Sequence, residues 1–180
     1  MLNIVIPEKE LWDDRAKEFI YIPKGGYAIQ LEHSLISLSR WESKWKKPFL
    51  SSKEKTYEET LDYIRCMTLT KNIPYEAYYA LETSEIELIN EYIAAQMTAT
   101  TIRKDKSMTS SRAITSELIY YWMIANSIPF ECEKWHLSRL LMLIDVCVEE
   151  SKPPKQRSKA KMMEERSALM KQRRQKYAKK

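Results

Sequence analysis

Only two glycines occur among 180 residues, and they are adjacent, at Gly25 and Gly26. Glycine supplies the positive φ angles and the close backbone approach that phosphate-cradling loops need, and those loops use several glycines at fixed offsets. A chain with one such point has no P-loop and no dinucleotide fingerprint. The common ATP, GTP and dinucleotide enzymes are excluded, and one tight turn near the N-terminus is predicted.

That turn sits inside the extended part of the chain. Phe19 and Tyr21 precede Pro23-Lys24-Gly25-Gly26, and Tyr27, Ile29 and Leu31 follow it, with the period of two that strands require. Strands are predicted over Leu2–Ile6, Leu11–Asp13, Phe19–Ile22 and Tyr27–Leu31, joined as a small antiparallel meander. From Ser34 the period lengthens: Leu35, Leu38, Trp41 and Trp45 recur at spacings of three and four, as one helix face demands. Pro48 ends that helix. Thr56 with Glu59 forms a capping box before Leu61, Ile64 and Met67, and Ser84 with Glu87 reads as a second box before Ile86, Ile89, Ile93 and Met97. A short helix is expected between them, over Pro74–Leu81. Residues 98–112 lose periodicity and read as a surface loop. Thr115–Asn126 is apolar nearly all round and reads as the central core helix. Glu131–Val148 reads as one further helix with Leu137, Leu140, Leu141, Ile144 and Val148 inward.

The charge is unevenly placed. Residues 151–180 carry 12 Lys or Arg and 2 Glu, a net of +10, which leaves residues 1–150 at a net of −5. Pro153-Pro154 marks the boundary, because proline disfavours helix in the residue before it and removes a donor. The fold class read from these patterns is α+β. Residues 1–150 form a single domain, with a β-meander in 1–31 and a helical body in 32–150. Residues 151–180 form a basic arm, helical or partly disordered, whose thin stripe of Met163, Met170 and Tyr177 needs a partner to be buried.

No catalytic or cofactor set emerges. Cys132 and His136 are four apart and would share a helix face, but Cys147 lies 11 residues further on, about 16 Å along a helix, too far to join them. Two ligands do not make a zinc site, and His33 reads as a junction residue. Three widely spread cysteines, Cys66, Cys132 and Cys147, argue against a disulfide framework and fit a reducing compartment. The N-terminus does not read as a secretory signal, and the longest apolar stretch, Leu118–Ala125, is far short of the roughly 20 residues of a membrane span. A cytoplasmic location without membrane contact is expected. In the arm, Lys155, Arg157, Arg173 and Arg174 suit phosphates or an acidic protein surface, while Met163, Met170 and Tyr177 favour a protein groove. Trp41 and Trp45, with Tyr75–Tyr79, are further candidates for a partner-binding groove, although the core is the stronger reading of the same residues.

Several stretches together resemble a known family: Leu31-Glu32-His33-Ser34-Leu35, Trp41-Glu42-Ser43-Lys44-Trp45, Pro48-Phe49-Leu50 and Tyr63-Ile64-Arg65-Cys66-Met67. Later come Thr98-Ala99-Thr100-Thr101, the run Thr115–Met123, Ile128-Pro129-Phe130-Glu131 and Trp135-His136-Leu137. In this order, over most of residues 1–150, they are similar to the tail assembly chaperones of long-tailed bacteriophages. The resemblance implies a non-enzymatic protein of the host cytoplasm that needs no cofactor. It would bind the tape-measure protein, assist tail-tube polymerisation, contact the tail-tube protein and self-associate. Two other readings stay open: a nucleic-acid-binding module acting through the arm, and a minor structural subunit of the virion.

Overall fold

The computed structural model describes residues 1–13, 17–51, 54–102, 113–151, 163 and 166–171. It is α+β, as the alternating and helical periods predict. The chain divides into two compact units, Met1–Val148 and Glu149–Lys180.

Four strands open the first unit: β1 (Leu2–Ile6), β2 (Glu10–Asp13), β3 (Glu18–Tyr21) and β4 (Tyr27–Leu31). Their pairing corrects the meander. β1 pairs with β4 and β2 pairs with β3, both antiparallel, so one hairpin is nested inside the other. The physical reason lies at the two prolines, Pro7 and Pro23, which cannot donate to a ladder and break the ribbon between β1 and β2 and between β3 and β4. The Ile22 N–H still reaches the Lys9 carbonyl at 3.1 Å across that interruption.

The glycine pair closes the gap. Gly26 has φ +72°, and a Cβ placed on it would lie 2.0 Å from the carbonyl oxygen of Ile6, whereas a Cβ on Gly25 would meet nothing within 4 Å. Gly26 is therefore glycine for two reasons, handedness and space.

The α-helices that follow are α1 (Leu35–Trp45), α2 (Tyr57–Met67), α3 (Thr83–Ala94), α4 (Ser116–Ala125) and α5 (Leu137–Glu150). Ser34 caps α1 and Thr56 caps α2, the latter through the box with Glu59 that the sequence spells out. α3 starts earlier than expected. Its reciprocal cap is Glu82 with Glu85, the Glu82 N–H donating to the Glu85 carboxylate at 2.9 Å, not Ser84 with Glu87. Buried Leu81 ends the preceding 3₁₀ segment Tyr75–Ala80, so the chain turns into helix immediately after it.

The stretch from Glu131 also departs from the expected single helix. Phe130–Lys134 is 3₁₀, Trp135 is extended, and α5 begins only at Leu137. The cause is long range: Ser34 and His136 form an antiparallel bridge, and the Leu137 N–H donates to the His33 carbonyl at 2.7 Å. Cys132 and His136 consequently do not share a helix face.

The core is built on α1 and α2. Trp41 is fully buried, donates its indole N–H to the Glu59 carbonyl at 2.8 Å, and meets Phe49 edge-on at 5.0 Å between ring centres. Phe49 in turn stacks on Tyr63 at 3.8 Å.

Replacing Gly26 by alanine is expected to destabilise the domain by about 2–3 kcal/mol, from backbone strain plus the clash with Ile6. Gly25→Ala carries only the strain, roughly 1 kcal/mol. Denaturant midpoints of the two variants measured side by side check this ordering.

Candidate functional site

Burial decides which of the polar groups in the molecule can do chemistry. His33 and His136 come together, ring centres 5.2 Å apart, at the bridge between the start of α1 and the start of α5. The His33 Nδ1 lies 2.6 Å from the Tyr63 hydroxyl. The His136 Nε2 lies 3.1 Å from the Tyr92 carbonyl and its Nδ1 2.8 Å from the Ser138 hydroxyl. Beside them the Tyr92 hydroxyl donates to Glu32 at 2.7 Å, and the Met1 amino group pairs with the same carboxylate at 3.2 Å. Every buried side-chain polar atom among the described residues has a partner.

Burial, reinforced by His136, pushes the His33 imidazole down to about 3. Burial also lowers His136, against the Tyr92 carbonyl and Glu32, which favour its charged form. Burial therefore favours the neutral form of both rings, and the cluster joins the start of α1 to the start of α5.

A second joint surrounds Asp62, whose side chain is wholly buried. Lys44 donates to it at 2.7 Å, the Trp45 indole at 2.9 Å and Arg65 at 3.0 Å. Burial would raise this carboxyl, but the three donors outweigh it and hold it below the ordinary carboxylate range. Burial, and then Asp62, raises the Cys66 thiol. No group of three metal-ligating side chains occurs among the described residues.

The residues nominated from sequence are scattered. Trp41 is a correction: it is core, with no surface to offer a partner, because its indole N–H is committed to α2. Trp45 is half-buried, its indole held by Asp62. Met163 and Met170 are exposed on helical backbone. Lys155, Arg157, Arg173, Arg174 and Tyr177 lie outside the described residues, as does most of the predicted loop at 98–112.

The surface that sequence reading missed is on α4. This helix was expected at the centre of the core, yet only Ser116, Ile119 and Met123 of it are buried. Glu42 holds the start of this helix. The carboxylate of Glu42, itself buried on α1, accepts from the Ser116 N–H at 2.7 Å and from the Phe49 N–H at 2.8 Å. The opposite side carries Glu117, Tyr121 and Ile124 at helical spacing, and Tyr121 and Ile124 are each 63% exposed. Phe130, 55% exposed, extends the patch against Tyr120 at 6.3 Å between ring centres. Tyr120 donates its hydroxyl to Glu133 at 2.8 Å, and burial together with that carboxylate pushes the hydroxyl up to about 12. Large apolar side chains are exposed elsewhere too, notably Trp12, Phe19 and Tyr21 on the β2–β3 hairpin.

Comparison with known protein families, with curated proteins and with solved structures found no match to the chain. No helix among the described residues is long and apolar enough to cross a membrane.

The paired histidines make stability depend on pH. Their folded values lie below the ordinary 6.5, so the unfolded chain binds more protons as pH falls. Stability is full above about pH 6.5 and is lost on acidification below it, by about 2 kcal/mol at pH 5 for His33 alone. Denaturant unfolding at pH 7.5 and pH 5 should show this loss, and the loss should shrink in a His33→Gln variant.

Proposed function

We propose that the protein is a tail assembly chaperone of a long-tailed bacteriophage. It works by binding rather than by catalysis, in the cytoplasm of the host. It holds the helical tape-measure protein in solution and assists polymerisation of tail-tube subunits around it. The observation that carries this reading is the apolar face of α4 with Phe130, an exposed patch of large side chains on a helix anchored from its other side. Such patches mark sites of protein contact, because isolated exposed side chains are ordinary but contiguous ones oppose solubility. The motif resemblance over residues 1–150 supplies the identity of the client.

The arm supports a second role in the same assembly. Its charge of +10 in thirty residues suits an acidic partner surface, and its exposed Met163 and Met170 suit an adaptable apolar contact. The same charge also favours the alternative of nucleic-acid binding, whose affinity would fall steeply with salt.

The test is co-expression of the chain with the tape-measure protein encoded by the same phage. Recovery of soluble client in complex with the chain, free of nucleic acid, is the expected result. Insoluble client together with salt-labile nucleic acid on the purified chain would replace the chaperone reading with the nucleic-acid one.

A further inference from the structure

We infer that the α4–Phe130 face is a docking site for an amphipathic helix whose apolar stripe is bordered by lysine or arginine. The inference rests on the chaperone reading and specifies the partner's chemistry at one named surface.

Shape is the first argument. Tyr121 and Ile124 stand three residues apart on a helix, with half-buried Tyr120 and Trp122 at their sides and Phe130 rising beyond Tyr120. Ridges made at that spacing pack into the grooves between the side chains of another helix. The inner side of α4 is already occupied, since Ile119 and Met123 are fully buried and the helix start is tied to Glu42. The outer side is a place for something not of this domain.

Charge then selects the occupant. Over α4 and the 3₁₀ segment that follows it, residues 116–134, the charged side chains are Glu117, Glu131, Glu133 and Lys134, three carboxylates to one cation. Lys46, at the end of α1, is the cation that acts on Glu117, and it stands at the edge nearest α1. Carboxylates beside an apolar ridge favour a partner with cations at the same flank and repel phosphates, which removes nucleic acid as an occupant. A second copy of the chain is disfavoured on the same ground. A two-fold contact would set this glutamate-bordered patch against itself.

The probes are two synthetic helical peptides that share one leucine stripe, flanked by lysine in the first and by glutamate in the second. Fluorescence anisotropy with the full-length chain should show binding of the lysine-flanked peptide, weakening as salt rises. Ile124→Ser and, separately, Tyr121→Ser should each weaken it by roughly tenfold, since both truncate exposed contacts. Circular dichroism checks that each variant keeps its helical content. The double variant Glu117→Lys, Glu131→Lys should move the preference toward the glutamate-flanked peptide. Equal binding of both peptides, no binding of either, or binding indifferent to both serine variants would overturn the proposal. So would self-association of the chain that Ile124→Ser abolishes, which would make a second copy the occupant. Peptide binding without rescue of the tape-measure protein would remove the chaperone reading and leave the helix-docking site standing.

Discussion

The carboxylate of Glu42 joins parts of the chain that nothing local would bring together. It sits on the third turn of α1, buried, and receives the backbone N–H groups of Phe49 and of Ser116, the second of them 74 residues away. The Ser116 N–H is one of the donors that a helix start leaves without an internal partner, and a carboxylate there is favoured by the helix dipole as well. One side chain thus closes the turn after α1, satisfies the start of α4 and holds that start against α1. With Ile119 and Met123 buried behind that tether, Tyr121 and Ile124 are left outward.

The same logic recurs elsewhere in the first unit, where buried polar groups join segments distant in sequence. Asp62 of α2 ties in Lys44 and Trp45 of α1, with Arg65 of its own helix beside them, and the His33–His136 pair ties the start of α1 to the start of α5. Ser138 continues that joint, donating to the Ala95 carbonyl just after α3 and accepting from the Met97 N–H. These joints are satisfied within the fold. Removing one partner of such a joint leaves the other buried and unsatisfied, which costs more than the hydrogen bond itself contributes.

Local signals in the sequence were legible and long-range ones were not. The alternation of Tyr27, Ile29 and Leu31, the box Thr56–Glu59 and the spacing of Leu35, Leu38 and Trp41 each act within one element, and each element lies where they place it. The stretch Glu82-Thr83-Ser84-Glu85-Ile86-Glu87 offers two boxes, and only the end of the preceding 3₁₀ segment chooses between them. The nested pairing of strands depends on which segments meet on either side of the breaks at Pro7 and Pro23, which periodicity does not encode. The start of α5 depends on a bridge to Ser34 a hundred residues earlier. The candidate face was the least legible, because a helix that is apolar on all sides carries no mark of which side is covered. The mark was Glu42, and its partner at Ser116 is visible only in the fold.

Hydrogen exchange of the α4 backbone in Glu42→Ala tests this dependence most directly. With the carboxylate gone, two buried N–H groups lose their acceptor. Protection at the Ile119 and Met123 amides should fall by roughly 10–100-fold, as expected for a loss of about 1–3 kcal/mol. Unchanged protection along α4 would mean that apolar packing alone seats the helix, and would contradict the account of how its outer face is set.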